Sequence, residues 1–295
     1  MNKLLLCVVG PTASGKTELA ITLAQQYNTE ILSADSRQVF TELNIGTAKP
    51  TSEQLNTVKH HFINSHSVNM LYTAGDYERD ALAILHRLFK TNDVVVLCGG
   101  TGLYIKALCE GLDALPYGNE ERRQALNNTP IDELQEILQS IDAPYYYGID
   151  INNKQRVVRA IEVYEVSGKP MSSFLLAQKQ HRNFDIIKVG IDLPRQELYN
   201  RINSRVDEMM CNGLLNEAQQ FYNQRELNAL KTVGYKELYD FINGDYTTLN
   251  EAITKIKQHT RNYAKRQLTW FKADSVTWIK NAEEVVELLK NRSVD

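Results

Sequence analysis

Gly10-Pro11-Thr12-Ala13-Ser14-Gly15-Lys16-Thr17 is the stretch on which the fold turns. It matches G-x-x-x-x-G-K-[ST], and its flanks supply the context that motif needs. The apolar run Leu4–Val9 reads as a buried strand, and residues 16–27 read as a helix with Leu19, Ala20, Leu23, Ala24 and Tyr27 on one face. A glycine at each end of the loop lets backbone N–H groups converge on phosphate oxygens, and the helix N-terminus adds its positive end. Lys16 supplies a mobile charge, and the Thr17 hydroxyl reaches a phosphate oxygen or a magnesium ion. The pattern specifies a polyphosphate cradle. It leaves open whether the phosphates belong to a nucleoside triphosphate or to another pyrophosphate.

Outward from this loop, residues 30–33 and 94–98 read as further strands, the second a continuous β-branched run of the kind found inside parallel sheets. A helical stretch at 74–89 lies between them, so right-handed crossovers and an α/β, P-loop NTPase-like parallel sheet core follow. After Gly111 the character changes. Short charged helices at 120–126 and 131–140 replace strands until 186–191, and a last strand is expected at 276–279. The expected organisation is a core in two parts, residues 1–112 and 183–295, with an inserted, mainly helical domain at 113–182.

The bulk numbers allow a sizeable core, with 295 residues of which 43% are hydrophobic. The N-terminal apolar run is too short to span a membrane and carries no cleavage pattern. Cys7, Cys98, Cys109 and Cys211 include no Cys-x-x-Cys pair, which argues against zinc and disulfides and for a cytoplasmic setting. The net charge of -3 argues mildly against a nucleic-acid partner, but its distribution argues the other way. Residues 254–272 hold Lys255, Lys257, Arg261, Lys265, Arg266 and Lys272 and no acidic residue. Read as one helix, they place Lys257, Arg261 and Lys265 in a row at i+4 spacing beside an apolar face of Ile253, Ile256, Ala264 and Phe271. Such a row is either a solvated face or a contact for phosphates, and the lack of an acidic partner favours phosphates.

Three further features sit where chemistry is expected. Asp35, just past the strand 30–33, should emerge at the carboxyl edge of the sheet beside the phosphate loop, as a ligand-facing carboxylate or as a turn cap for Ser36 and Arg37. Gly99-Gly100-Thr101-Gly102 is a second strand-to-helix turn at that edge, either a tight approach of helix to sheet or a mount for the Thr101 hydroxyl. Nucleotide hydrolases usually place a magnesium-holding carboxylate at the end of a neighbouring strand. Here the strand 94–98 runs into glycines, and Asp192 after 186–191 is either a substitute or a structural residue at the end of a surface turn. His60, His61 and His66 lack regular metal-ligand spacing. Arg156 and Arg159, one helical turn apart, are either RNA contacts or partners of Glu162 and Glu165.

Taken together, several stretches resemble the bacterial tRNA dimethylallyltransferase (tRNA isopentenyltransferase) family, in order and over nearly the whole chain. They are GPTASGKT (10–17), SADSRQV (33–39), IGTAKP (45–50), GGTGLYIKAL (99–108), QRVVRAIEVYEVSGKP (155–170), TVGYKEL (232–238) and TRNYAKRQLTWF (260–271). The resemblance implies transfer of a dimethylallyl group from dimethylallyl pyrophosphate to N6 of the adenosine 3′-adjacent to the anticodon, tRNA position 37, in tRNAs reading codons that begin with U. It implies magnesium and an inserted domain that grips the anticodon stem-loop. On the matching positions Asp35 is the expected general base, with Lys16, Thr17 and Thr101 as its catalytic companions and Thr17 as the metal ligand. Pyrophosphate is expected on Gly10, Pro11, Thr12, Ala13, Ser14, Gly15, Lys16 and Thr17. The expected tRNA contacts are Asp35, Ser36, Arg37, Gln38, Thr101, Arg123, Gln155, Arg156, Val157, Val158 and Arg159, joined by Lys257, Arg261 and Lys265 of the basic row. Phe40, Asn44 and Asn64 depart from the family pattern, which usually has a tyrosine and two aspartates there. The expected partners are tRNA and the prenyl donor, with no membrane, for a monomeric chain. A P-loop kinase with Arg195, Arg201 and Arg205 as a closing lid, and a non-catalytic RNA-binding module, are the competing readings.

Overall fold

The computed structural model describes residues 3–175 and 180–292. It divides into two compact units, one formed by Met1–Glu110 with His181–Asp295 and the other by Gly111–Gln180.

The first unit is built on a six-stranded, all-parallel sheet in the order β3-β2-β4-β1-β5-β6. The strands are β1 (Leu4–Val9), β2 (Ile31–Ala34), β3 (His60–His61), β4 (Val94–Gly99), β5 (Asp185–Ile191) and β6 (Val276–Ile279). The central strands are apolar without alternation because both faces are covered. Leu5, Cys7 and Val9 point to one apolar cluster, and Leu6 and Val8 to another. Helices α1 (Lys16–Gln26), α2 (Ser52–Thr57), α3 (Ala74–Leu88) and α4 (Gly102–Glu110) follow the first strands. Thr51 and Thr73 start α2 and α3 with reciprocal capping boxes. The edge strand β3 escapes a pattern reading because it is only two residues long, and β2 begins one residue later than its apolar run suggests.

The second unit holds α5 (Glu120–Asn128), α6 (Ile131–Ile141), α7 (Ala143–Gly148) and α8 (Lys154–Ser167). Its own core collects Leu126, Leu134, Leu138, Val157, Val158, Ile161 and Met171. The chain then returns to the sheet through β5 and continues with α9 (Arg195–Cys211), α10 (Leu214–Gln220), α11 (Tyr235–Asn243), α12 (Leu249–Lys272) and α13 (Ala282–Arg292). The basic helix α12 starts five residues earlier than the charge block, at a Thr248 cap that accepts the Glu251 N–H at 3.2 Å. Among the described residues no helix is long and apolar enough to cross a membrane.

Candidate active site

Sheet register brings the candidate residues to one edge. Strands β1 and β2 both pair with β4, and Val9 and Ala34 each lie opposite Gly99. The phosphate loop after Val9 and Asp35 after Ala34 therefore leave the sheet at the same level, two strand spacings or about 10 Å apart. The turn Gly100–Thr101 lies between them, and ligands of open α/β sheets bind outside this carboxyl edge.

The loop has the shape a phosphate needs. Gly15 caps α1 in the left-handed region at φ 90, and Ala13 is also left-handed at φ 65. Ser14 is 1% exposed, and among the described residues its hydroxyl has no hydrogen-bond partner. A buried orphan hydroxyl inside such a loop fits a phosphate oxygen. The Lys16 ammonium donates to the Pro11 carbonyl at 3.1 Å. Burial lowers its pKa, opposed by the neighbouring Cys98 and Asp35, while the Arg205 charge lowers it further. Lys16 thus senses both the carboxylate across the site and a second cation.

That second cation comes from a roof over the loop. Helices α9 and α12 pack together, and Leu198, Ile202 and Ala264 close on Ala13. Arg205 of α9 donates to the Thr12 hydroxyl at 3.3 Å, and burial lowers its pKa. Gln267 of α12 is 7% exposed. Its carbonyl accepts the Thr12 N–H at 2.9 Å and its amide donates to the Gly100 carbonyl at 2.8 Å. Sequence reading missed Arg205 as a loop contact and missed Gln267 altogether. Their only signals are an arginine on an otherwise ordinary helix and a glutamine in line with an apolar face.

Asp35 fills both roles left open for it. One carboxylate oxygen accepts the N–H groups of Arg37 at 2.9 Å and Gln38 at 3.3 Å, so it caps the turn one residue further on than expected. Among the described residues the second oxygen has no such bond. Thr101 does not simply point into the cleft: its hydroxyl accepts the Ser36 N–H at 3.0 Å and so ties the Asp35 turn to the Gly100 turn. The Arg37 guanidinium donates to the Asn228 carbonyl at 2.7 Å, and Gln38 spends its amide on the carbonyls of Thr47 and Ala48. Tyr263 of α12 lies near Asp35 and Arg37, with its phenol pushed up to about 12, chiefly by burial. Asp192 is exposed at the end of β5 and gives its N–H to Ile279. His61 bonds Glu30 at 2.5 Å and His60 the Val58 carbonyl at 2.8 Å.

Several expected RNA contacts change character. Val157 and Val158 are 0% and 3% exposed in the core of the helical unit, so their side chains cannot meet tRNA. On the same helix Gln155 and Arg156 are exposed. Arg123 and Arg159 both pair with the buried Glu162, at 2.9 and 2.6 Å, and Arg159 also reaches the Pro116 carbonyl. Lys257 has an acidic partner from outside the run 254–272: Asp207 of α9 sits 2.6 Å away. Arg261 donates to Asn203 at 2.6 Å, whereas Lys265 is exposed.

The three departures from the family pattern meet at one ammonium. Lys49 donates to the Phe40 carbonyl at 2.6 Å and to the side-chain oxygens of Asn44 at 3.0 Å and Asn64 at 2.5 Å. Among the described residues no carboxylate pairs with it directly, and burial pulls its pKa down to about 8.

A phosphate-type loop roofed by two helices, with a carboxylate two strands away on the same sheet edge, defines an α/β protein of the P-loop type. The comparisons narrow the class. The family model described as IPP transferase matches residues 38–274. The tRNA dimethylallyltransferase of Cytophaga hutchinsonii is 49% identical over 96% of this chain and 94% of its own length, and that of Christiangramia forsetii is 46% identical over 99% of both. Among solved structures, a tRNA delta(2)-isopentenylpyrophosphate transferase of Staphylococcus epidermidis is 35% identical with a TM-score of 0.71, covering 98% of this chain and 99% of its own. A eukaryotic dimethylallyltransferase acting on tRNA is 26% identical with a TM-score of 0.77, covering 91% of this chain and 69% of its own. The chain belongs to the IPP transferase family.

Proposed function

We propose that this chain is a tRNA dimethylallyltransferase that moves the dimethylallyl group of dimethylallyl pyrophosphate to N6 of the adenosine 3′-adjacent to the anticodon, position 37, of tRNAs reading codons that begin with U. The observation that carries the reading is the shared sheet edge: the half-buried Lys16 in its loop and the uncapped oxygen of Asp35 flank the same β4 turn.

The adenine exocyclic amine is a weak nucleophile because its lone pair is delocalised into the ring. The free oxygen of Asp35 accepts its proton as the new C–N bond forms, a role contributing roughly 10²–10⁴-fold. The bond between the allylic carbon and the pyrophosphate oxygen breaks, and the charge developing on that oxygen is met by loop N–H groups, Lys16 and Arg205. A loop nucleotide is cheaper to extrude than a paired one, which suits an anticodon-loop adenosine.

Magnesium fits the donor set. Among the described residues no three His, Cys, Asp or Glu side chains form a metal cage, but magnesium is commonly held by few protein oxygens plus substrate phosphates. The Thr17 hydroxyl, next to Lys16 at the start of α1, is a hard-oxygen donor that would hold it. When bound, the ion would neutralise pyrophosphate charge.

RNA contacts are assigned to Ser36, Arg37 and Lys265 in the sheet unit and to Gln155 and Arg156 in the helical unit, which we read as an anticodon stem-loop grip. Incubation with labelled dimethylallyl pyrophosphate and unmodified tRNA is the test. Label on the adenosine 3′ to the anticodon supports the reading. Phosphate transfer from ATP with no label in tRNA would replace it with a kinase.

A further inference from the structure

We propose that Gln267 is a positioning residue that fixes the distance between the two halves of the site, the diphosphate cradle and the acceptor turn. This deepens the reading under Proposed function and rests on it for the kinetic part of its test.

The two bonds of Gln267 go to different halves. Its carbonyl holds the Thr12 N–H inside the phosphate loop, and its amide holds the Gly100 carbonyl at the end of β4. From Gly100 the connection continues: the Thr101 hydroxyl accepts the Ser36 N–H, and Ser36 follows Asp35 directly. One side chain thus links Thr12 to the Asp35 turn. Because the amide is 7% exposed, water cannot readily replace either bond.

The second glycine turn is shaped for this contact. A Cβ at Gly100 would lie 2.3 Å from the Gln267 amide nitrogen, and one at Gly102 would lie 2.4 Å from the indole nitrogen of Trp270, one turn further along α12. Real side-chain carbons do not approach so closely, so these two glycines make room for α12 and not for a ligand. Thr12 is meanwhile gripped from the other side by Arg205. The loop's N–H directions are therefore set by α9 and α12 together. Donor and acceptor must approach within near-attack distance, and a displacement on the order of 1 Å costs roughly 10²-fold in rate.

Two variants test the assignment. Gln267→Met keeps the volume and removes both bonds, and Gln267→Glu keeps the acceptor for Thr12 but loses the donor to Gly100. Both are expected to fold cooperatively but to melt a few degrees below wild type, because each leaves the Gly100 carbonyl without its donor. Both should bind inorganic pyrophosphate and an anticodon stem-loop RNA within about threefold of wild type, yet transfer at saturating substrates roughly 10–100-fold more slowly. Hydrogen exchange gives a readout independent of transfer: the Thr12 amide should lose protection in Gln267→Met and keep it in Gln267→Glu. Unchanged exchange and rate in Gln267→Met would overturn the proposal. So would a marked fall of both affinities in variants that still fold, which marks a packing role. Absence of transfer in the wild type with the exchange pattern as expected would instead sink the prenyl-transfer reading and leave the positioning role standing.

Discussion

At the scale of single residues, Asp35 caps a turn with one oxygen and, in the proposed mechanism, takes a proton with the other, and substitutions can separate the two roles. Asp35→Asn retains an oxygen for the Arg37 and Gln38 N–H groups but no base, while Asp35→Ala loses both. Single-turnover transfer should fall by roughly 10²–10⁴-fold in either. Only the alanine variant should also lose stability, by about 1 kcal/mol in denaturant titration. Stem-loop affinity should change little, and a large affinity loss at normal turnover would contradict the base role. Lys49 offers a second test, through pH. Its folded pKa of about 8 lies below the ordinary 10.5, so between these values the unfolded chain binds more protons. Stability contributed by this group is therefore absent below pH 8 and rises as pH climbs towards 10.5. Asn64→Asp sets a carboxylate against the ammonium and should raise its pKa. The alkaline gain, read as the difference between urea midpoints of the two proteins from pH 7.5 to 10, should shrink in the variant. Equal gains would mean that burial does not control Lys49.

At the scale of elements, what could be read from the sequence was whatever depends on neighbours along the chain. The loop, β1, α1 and β6 follow from local pattern, and Asp35 at the carboxyl edge follows from parallel topology. What escaped depends on partners distant in sequence. Glu217 of α10 accepts the N–H groups of Asn44, Ile45 and Gly46 at 2.9–3.1 Å, together with the Tyr235 hydroxyl at 2.5 Å. Two motif stretches, 45–50 and 232–238, are thereby joined, and no local periodicity encodes that meeting. The same limit explains the error over α12, where an acid-free run does not preclude an acid on α9. Within α12 the structure ranks the cations. Lys265→Ala should weaken stem-loop binding and lower the slope of log affinity against log salt by roughly 0.7–0.9. Lys257→Ala should change that slope less, because Asp207 already neutralises it. Affinity measured across a salt series decides between them, and a flat dependence in the wild type would remove α12 from the RNA interface.

At the scale of the whole molecule, the helical unit is built as a separable insertion. It has its own apolar core around Leu134, Leu138 and Val157, and its two ends meet. A Cβ on Gly111 would lie 2.6 Å from the Gln180 side chain, and Gln180 donates to the Leu112 carbonyl at 3.5 Å. The sheet, the phosphate loop, its α9–α12 roof and Asp35 all belong to the other unit. Adjacent ends mean that a short flexible linker can replace residues 111–180 without stretching the chain, since the argument rests on buried contacts retained and not on sequence position. The shortened protein should fold cooperatively and bind inorganic pyrophosphate by calorimetry with an affinity within about threefold of the full chain, a difference under roughly 0.7 kcal/mol. Transfer to tRNA should fall by two orders of magnitude or more if the insertion supplies the stem-loop grip, because each lost phosphate contact removes a share of the affinity. Unchanged transfer would place RNA recognition wholly on the sheet unit, with α12 as its main surface. Collapse of pyrophosphate binding in a protein that still folds would show instead that the helical unit completes the donor site.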